Sequence, residues 1–462
     1  MKKILIFLSV FIFTLVNVYS QTLTVATVNG TAGQLTNVAV TASGIDADNG
    51  GTAIGGFQIK VPYQTNIATF IQSTTLNATL NLNGTWTQST ANNGLVVVLW
   101  LINENIDPVS LPDGDKLFDM SFTVSGAGTS TLNLTEIELM DGNYNLLSPT
   151  LTNGSITFGA PAASTTWSGT TGSWYAPANW SNGLPGVSTD AVIASGVVTV
   201  DGATAYTKNL SISAGAGMTV NSGKTVSANG NIVLESSANA TATGSLLNNG
   251  TVTRTGTSTV KRYLSGGAQH FVSIPLTAAT IQNFIYSGNS GYMFKYNETA
   301  NAGVGAWENL IEPTTQIGLA IGYALNYTNA QTVSISGAFN NDASYAPTIT
   351  RTATNGWNFV GNPYSCPIDW TIASGWTKTN LDNAIYIWNG SVYASYNAGV
   401  GANGGTQYIP QFQGFFVHAI PPQPPPQAQT PAIAIKKAAR THSGNSTNFK
   451  NTTETGIFRL AI

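Results

Sequence analysis

From Gly55 to Tyr63 the chain alternates apolar and polar residues, with Phe57, Ile59 and Val61 on one side and Gln58 and Lys60 on the other. A period of two is the mark of a half-buried β-strand. The stretch stands at the centre of a block, residues 22–160, that reads the same way throughout. Thr22 to Val28 is β-rich, turns follow at Asn29-Gly30 and at Gly33, and Val38 and Val40 begin the next strand. Gly44 to Gly56 is a loop. Leu95 to Ile102 is apolar at every position, which predicts a central strand covered on both faces. A buried helix of that length competes with this reading. The β-branched content and the preceding Asn92-Asn93-Gly94 turn decide for the strand. Lys116 to Val124, Thr129 to Met140 and Gly154 to Phe158 complete the set. Many short strands with turn signals between them predict a two-sheet antiparallel β-sandwich.

Downstream the pattern changes. Gly159-Ala160-Pro161-Ala162-Ala163 has the composition of a linker, and Trp167, Gly169, Trp174, Asn179, Trp180, Pro185 and Asp190 then come close together. Short β-runs recur after them, from Val197 to Val200 through Leu210 to Ser213 and on to Thr251 to Arg254, with glycines where turns are needed. Residues 164–259 therefore predict a short β-solenoid-like stack of irregular period. Residues 260–419 predict a further β-rich, sandwich-like domain. Its Asn362-Pro363 and Asn389-Gly390 pairs are turn chemistry, and its many aromatics read as core. The prolines between Pro421 and Pro431 cannot pair in a sheet and favour an extended spacer, so residues 420–462 are expected to be a Pro-rich spacer and tail. The whole chain reads as all-β.

Composition agrees and adds an address. At 462 residues the chain has length for about three domains of the usual ~100–200 residues. Only 8% of residues are charged and 48 are glycine, a balance poor for helices and suited to strands joined by tight turns. Lys2 and Lys3, the apolar Ile4 to Val16 and the small residues of Val18-Tyr19-Ser20 predict a signal peptide over residues 1–20, cleaved before Gln21. That apolar run is shorter than the ~20 residues a membrane span needs, and no later transmembrane segment is expected. The predicted product is exported, either secreted or held at the cell surface. Cys366 is the only cysteine, so no intrachain disulfide forms. In its apolar stretch it reads as a buried, inert thiol. Three histidines, His270, His418 and His442, are too few and too scattered for a zinc cluster. Charge is uneven. Residues 22–160 hold ten acids against Lys60 and Lys116, a net of −8, while the rest of the mature chain holds ten acids and thirteen bases. An acidic block argues against nucleic acid as its partner and leaves room for a cation.

Several strings in the first block come in a telling order. Gly33 precedes the Val38/Val40 strand, and Ile54-Gly55-Gly56-Phe57 leads toward Tyr63. Gly114-Asp115-Lys116-Leu117-Phe118 runs on to Phe122 and Val124; Gly128 to Leu132, Asp141-Gly142 and Asn153-Gly154-Ser155-Ile156 close the series. This order resembles that of cohesin domains, which share a superfamily with cellulose-type carbohydrate-binding modules. One position departs from the family pattern, since Gln64 stands after Tyr63 where Asp is usual, and that position bears on partner recognition. The resemblance implies a cohesin-like sandwich that binds carbohydrate or scaffolds partners in polysaccharide degradation, with a polysaccharide or a dockerin-like protein module as partner. The Trp-rich opening from Trp167 and the strings Gly356 to Tyr364, Ile368-Asp369-Trp370, Ala384 to Asn389 and Gln413 to Val417 resemble secreted multidomain surface proteins of Bacteroidota. Proteins of that kind end in a separate sorting domain. Gly456 to Ile462 alternates like a strand and stops, so the expectation is a truncated product or another route of anchoring.

Candidate chemistry is sparse. Asp46-Ala47-Asp48-Asn49-Gly50-Gly51 sets alternate acidic oxygens ahead of glycine, the donor set with which a loop wraps Ca2+, so Asp46, Asp48 and Asn49 are candidate ligands. The competing reading is a solvated polar loop, because no Glu closes it at the spacing of a Ca2+-binding hand. Glycoside hydrolysis needs two carboxylates flanking the sugar bond, and nothing in the sequence fixes such a pair. A lyase site on the stack would need clustered acids and bases, whereas residues 195–258 hold only Asp201, Lys208, Lys224, Glu235 and Arg254, far apart. No enzyme is expected. Sugar binding is the stronger idea, since pyranose C–H faces pack on aromatic rings. Trp86, in a polar stretch, and Trp174, Tyr175 and Trp180 are the candidate platforms, against the reading that each caps a core. Exposed aromatics on a sandwich face would mark a glycan module, a flat apolar face a protein scaffold, and neither a structural adhesin stalk.

Overall fold

The computed structural model describes residues 20–88, 93–238, 242–289, 292–353, 355–421 and 430–444. The expected signal peptide (save Ser20), the proline run over 422–429 and the tail from 445 lie outside these residues. Two compact units are present, one ending at Ala160 and one starting at Pro161, the latter also taking in Ala32–Gln34. Both are built almost wholly of strands.

In the first unit two five-stranded sheets enclose one core. One runs in the order Thr150–Thr152, Thr22–Val25, Thr36–Ser43, Lys116–Val124, Ala68–Leu76. The other runs Leu146–Leu147, Thr135–Asp141, Ile54–Pro62, Leu95–Ile102, Gly84–Gln88. The alternation from Gly55 has the expected result: Phe57, Ile59 and Val61 are fully buried, and Gln58 and Lys60 stay partly exposed. Phe57 stacks between Trp100 and Phe118, at centroid distances of 5.8 and 6.0 Å. The Trp100 Nε1 donates to the Leu80 carbonyl at 2.9 Å, satisfying the one polar atom its indole carries into the core. Pairing departs from a purely antiparallel plan at the ends of the unit. Thr22–Val25 runs parallel to Thr150–Thr152, and Thr27–Gly30 parallel to Gly154–Phe158, because the opening and closing segments lie side by side.

Two strands exchange the roles their sequences suggest. Leu95–Ile102 is an interior strand of its sheet, beside the edge strand Gly84–Gln88, but is covered on one face only: Val96, Val98 and Trp100 are fully buried, while Leu99 and Leu101 are exposed. The strand buried on both faces is Lys116–Val124, despite its alternating polar residues. Asp119 and Ser121 on its polar side find partners rather than water. The Thr75 hydroxyl and the Lys116 ammonium donate to Asp119 at 2.8 and 2.6 Å, and Ser121 donates to the Asn37 side chain at 2.7 Å.

The second unit opens as a stack of short parallel strands. Ser164–Trp167, Asp190–Ile193, Leu210–Ile212, Ile232–Leu234 and Ser258–Leu264 form one sheet, each strand pairing with the one a circuit later. Two further parallel sheets complete the circuits. Val198, Val200, Met218, Val220 and Ile212 fill the interior. The boundary expected at 259/260 falls inside a strand, because Ser258–Leu264 ends the parallel sheet and takes Gln331–Gly337 as antiparallel partner on its other edge.

Beyond the stack, two sheets pack on each other. One has the order Ala268–Val272, Tyr323–Tyr327, Tyr292–Asn297, Ala306–Leu310; the other Trp357–Gly361, Gly414–His418, Ala384–Trp388, Tyr393–Asn397, Val400–Ala402. Phe271, Ala324, Phe359 and Phe416 are buried between them. On its opposite face the second sheet sends Ile385, Ile387, Phe415 and Val417 into a separate core with Tyr364, Trp370 and Trp376. Within the Gly-Asn-Pro-Tyr string, the fully buried Asn362 side chain donates to the carbonyls of Cys366, Ile409 and Pro410. Cys366 itself is buried, and burial pushes its thiol up to about 12. The segment expected to be tail completes the fold. Ala432–Lys436 lies between Ser344–Tyr345 and Trp376–Thr379 in a three-stranded sheet. Arg440 then reaches back to the stack, donating to the Asn248 carbonyl at 2.7 Å. His442 hydrogen-bonds the hydroxyls of Thr219 and Ser245 at 2.9 and 2.8 Å.

Candidate functional site

The outer face of the Leu95–Ile102 sheet is the first candidate. Directly opposed residues of antiparallel strands share a face, so the register assembles it. Leu99 stands between Gln58 and Thr87, Val97 beside Lys60, and Leu101 between Gly56 and Thr85. Met140 and Glu138 follow one strand further on, opposite Gly56 and Gln58. Leu99 is 38% and Leu101 43% exposed. A central aliphatic stripe is thus edged by Gln58, Thr85, Thr87, Glu138 and the Lys60–Glu136 ion pair. No aromatic side chain among the described residues joins it. Trp86 sits opposite Trp100, which is fully buried, so Trp86 faces the sandwich interior from an edge strand and is half-buried there.

The acidic loop is folded around its own first residue. Asp46 caps a short 3-10 turn, Ala47–Asn49: its Oδ1 accepts from the Asp48 amide at 3.1 Å and its Oδ2 from the Asn49 side chain at 2.5 Å. Asp48 and Asn49 are exposed. Asp141 does the same in its turn, accepting from the Asn145 side chain and from the Asn145 and Asn143 backbone amides, and these bonds, that of the Asn145 side chain first, hold its carboxyl below the usual range. Among the described residues no cluster of three or more His, Cys, Asp or Glu is placed to hold a metal.

Two of the candidate sugar platforms, Trp174 and Trp180, are buried side chains. Trp174 and Trp180 are 1% and 3% exposed, with ring centroids 4.9 Å apart, and Trp167 packs edge-on against Trp180 at 5.5 Å. Their N–H groups are used internally: Trp180 donates to the Trp174 carbonyl at 2.9 Å and Trp167 to the Gly169 carbonyl at 3.1 Å. These rings close the first circuit of the parallel stack, whose sheet begins with Ser164–Trp167. Tyr175 is half-buried beside them and donates to the Ala203 carbonyl at 2.5 Å; burial, then Asp201, push its hydroxyl well above the usual range.

The second candidate lies where the two aromatic-faced sheets part. An open cleft of about 490 Å³ is lined by Tyr296, Trp307, Trp357, Tyr386, Tyr393 and Phe416. Tyr296 and Trp307 are register partners on one sheet, Trp357 and His418 on the other, and Tyr386 stands opposite Phe416. Trp357 is 36% and Tyr393 44% exposed. A smaller hollow, about 410 Å³, borders Trp370, Trp376 and Lys378. There the Lys378 ammonium lies 3.4 Å from the Trp370 ring centroid and donates to the Trp370 carbonyl, and burial brings it down to about 8.

A family described as a domain of unknown function (DUF8693) matches residues 166–457. The chain belongs to this family. No curated protein matches it. Solved cohesin structures are similar to 30% of the chain. A non-cellulosomal cohesin from Archaeoglobus fulgidus is 20% identical, with 91% of its length covered and a TM-score of 0.25. A type I cohesin–dockerin complex from Clostridium thermocellum is 14% identical, with 99% covered and a TM-score of 0.27. A cohesin module of a family 33 glycoside hydrolase from Clostridium perfringens is 14% identical, with 98% covered and a TM-score of 0.26.

The DUF8693 match spans the parallel stack, the aromatic cleft and the Ala432–Lys436 strand. Sequence reading counted the cleft aromatics as core. The signal that separates Trp357 and Tyr393 from core residues is positional: each stands at the start of its strand, next to the turn residues Gly356 or Asn389-Gly390.

Proposed function

We propose that this is an exported, non-catalytic scaffold protein whose acidic N-terminal sandwich docks a small partner module, of the dockerin kind, on the outer face of the Leu95–Ile102 sheet. The observation that carries the reading is the aliphatic stripe of Leu99 and Leu101, exposed at 38% and 43% in the middle of a sheet. A solvated sheet face ordinarily alternates to polar residues. An apolar centre with a polar rim is the anatomy of a protein interface. The order of sequence features that resembles cohesin domains supports the same reading, as does the absence of aromatic side chains from the described part of the face. The signal-like N-terminus supports export, and a role in polysaccharide degradation follows from the resemblance.

The test uses isolated residues 22–160, which hold a complete core of their own, immobilised and challenged with a panel of dockerin modules and of insoluble polysaccharides. Retention of a module by the native sandwich, weakened at least about 100-fold by the double substitution Leu99→Asp/Leu101→Asp, is the expected result for centrally placed interface residues. Equal retention by the variant sinks the proposed face. Retention on a polysaccharide that Trp86→Ala abolishes would move the function to sugar binding by the sandwich edge. Loss of retention with chelator would assign Asp46, Asp48 and Asn49 to Ca2+.

A further inference from the structure

The geometry points to a binding site for a neutral oligosaccharide in the aromatic cleft of the DUF8693 region, with Trp357 and Tyr393 as the stacking platforms. This site is separate from the sandwich face and does not depend on the docking reading.

The cleft is built, not left over. Phe416, 5% exposed, is its floor, and the other rings stand nearly upright on it. Tyr296, Trp307 and Trp357 meet Phe416 at 81°, 85° and 89°, with centroids 5.3, 6.0 and 6.2 Å away; Tyr393 meets it at 73° and 6.2 Å. The walls are themselves braced. Tyr296 packs edge-on against Trp307 at 5.4 Å, and Trp357 lies against Tyr386 at 4.9 Å and His418 at 4.8 Å. His418 is held in turn by Asp382, whose carboxylate meets its Nδ1 at 2.7 Å. On the opposite wall the Asn355 side chain, fixed by the Val304 carbonyl at 2.9 Å, donates to the Tyr296 hydroxyl at 2.9 Å and leaves the phenolic proton for a further bond. Rings positioned before a ligand arrives lose little freedom when it binds.

The lining selects the ligand chemistry. All six described lining residues are aromatic, so none of them carries a charge to compensate an ionic ligand stripped of water. Asp382, behind His418, is engaged by the imidazole. A quaternary ammonium would find ring faces but no counter-charge. An aliphatic peptide or acyl chain would leave the phenol hydroxyls and indole N–H groups without partners. A pyranose uses both kinds of surface, its C–H faces on the rings and its hydroxyls on their polar edges. A cleft of about 490 Å³ also falls within the ~300–1,000 Å³ range of small-ligand sites.

The experiment titrates the mature chain, residues 21–462, with neutral gluco-, xylo- and manno-hexasaccharides, with hexagalacturonate and with choline chloride. Binding is followed by calorimetry and by tryptophan emission. At least one neutral hexasaccharide is expected to bind, and both Trp357→Ala and Tyr393→Ala should weaken it about tenfold or more, as truncation of an aromatic anchor does. Both side chains are exposed, and an unchanged thermal midpoint checks each variant; should one fail to fold, the other decides. Tyr393→Phe, which keeps the ring, should retain most of the affinity. No binding by any neutral sugar, binding that both alanine variants leave intact, or preferential binding of choline or hexagalacturonate would overturn the proposal. The Leu99→Asp/Leu101→Asp variant must bind the sugar as the native chain does; a loss there would place the sugar on the sandwich instead.

Discussion

The sandwich face and the aromatic cleft both expose large apolar side chains, and they do so in opposite ways. On the sandwich, Leu99 and Leu101 stand on an open sheet face beside Gln58, Thr85 and Thr87. In the DUF8693 region, Trp357 and Tyr393 stand at the mouth of a concave, wholly aromatic cleft. Branched aliphatics on a flat face offer area without direction, and they gain by being covered together with another protein's apolar side chains. Rings carry a face, an edge and a polar tip, and they discriminate by orientation. Residue type alone does not separate function from fold, however. Trp174 and Trp180 are the same kind of side chain as Trp357, and they close the stack from inside.

The sharpest way to break this contrast is to truncate one indole of each kind. Trp174→Ala should destabilise the second unit by about 3–5 kcal/mol, the usual cost of emptying a buried aromatic site. Trp357→Ala, removing a partly exposed ring, should cost about 1 kcal/mol or less. Urea unfolding followed by circular dichroism measures both. Equal costs would mean that the cleft rings serve the fold and the distinction between cap and cleft is false.

A smaller effect separates the two units by pH. His442 is lowered to about 4 by burial, below the ~6.5 of the unfolded chain. As pH falls through 6.5 the unfolded chain takes up a proton that the folded protein refuses. Stability of the second unit is therefore full above 6.5, declines as pH drops toward 4, and levels below it. His442→Gln should flatten this slope. The sandwich contains no histidine, so its thermal midpoint should hold from pH 7 to 5.5 while that of the second unit falls. Parallel acid profiles for native protein and His442→Gln would show that His442 does not stay neutral on its two hydroxyl partners.

How much of this was readable from the chain depends on the range of the interaction. Local alternation placed Phe57, Ile59 and Val61 inward without error, because a strand's two faces are set by its own residues. Whether the second face is covered is decided by residues on other strands, and there the two interior strands mislead in opposite senses. Leu95–Ile102 is apolar on a face that meets solvent, and Lys116–Val124 is polar on a face that meets Thr75 and Asn37. The cleft is further still from view, since it joins Tyr296 and Trp307 to Trp357, Tyr386 and Phe416 through two sheets that no local pattern brings together. The Trp167, Trp174 and Trp180 spacing was visible; that the first circuit of a stack needs a lid was the missing physical reason. The division expected at 259/260 meets a related difficulty, since one strand serves both the parallel stack and a distant antiparallel partner.

The smallest expected effect bears most directly on why the aliphatic stripe is there. If Leu99 and Leu101 held the sandwich together, replacing them with aspartate would loosen it; if they are kept for a partner, the fold should barely respond. Their outward positions leave much of each side chain in water, so the transfer free energy at stake is small. The neighbours across the strand, Gln58, Thr85 and Thr87, tolerate a carboxylate in solvent. Glu138 lies one strand further away, and its repulsion is screened there by water and salt. Leu99→Asp/Leu101→Asp should therefore change the unfolding free energy of residues 22–160 by less than about 1 kcal/mol, read from urea midpoints at constant m-value. A loss of several kcal/mol would mean that the stripe is packed in solution against part of this chain, and the docking face would have its occupant already.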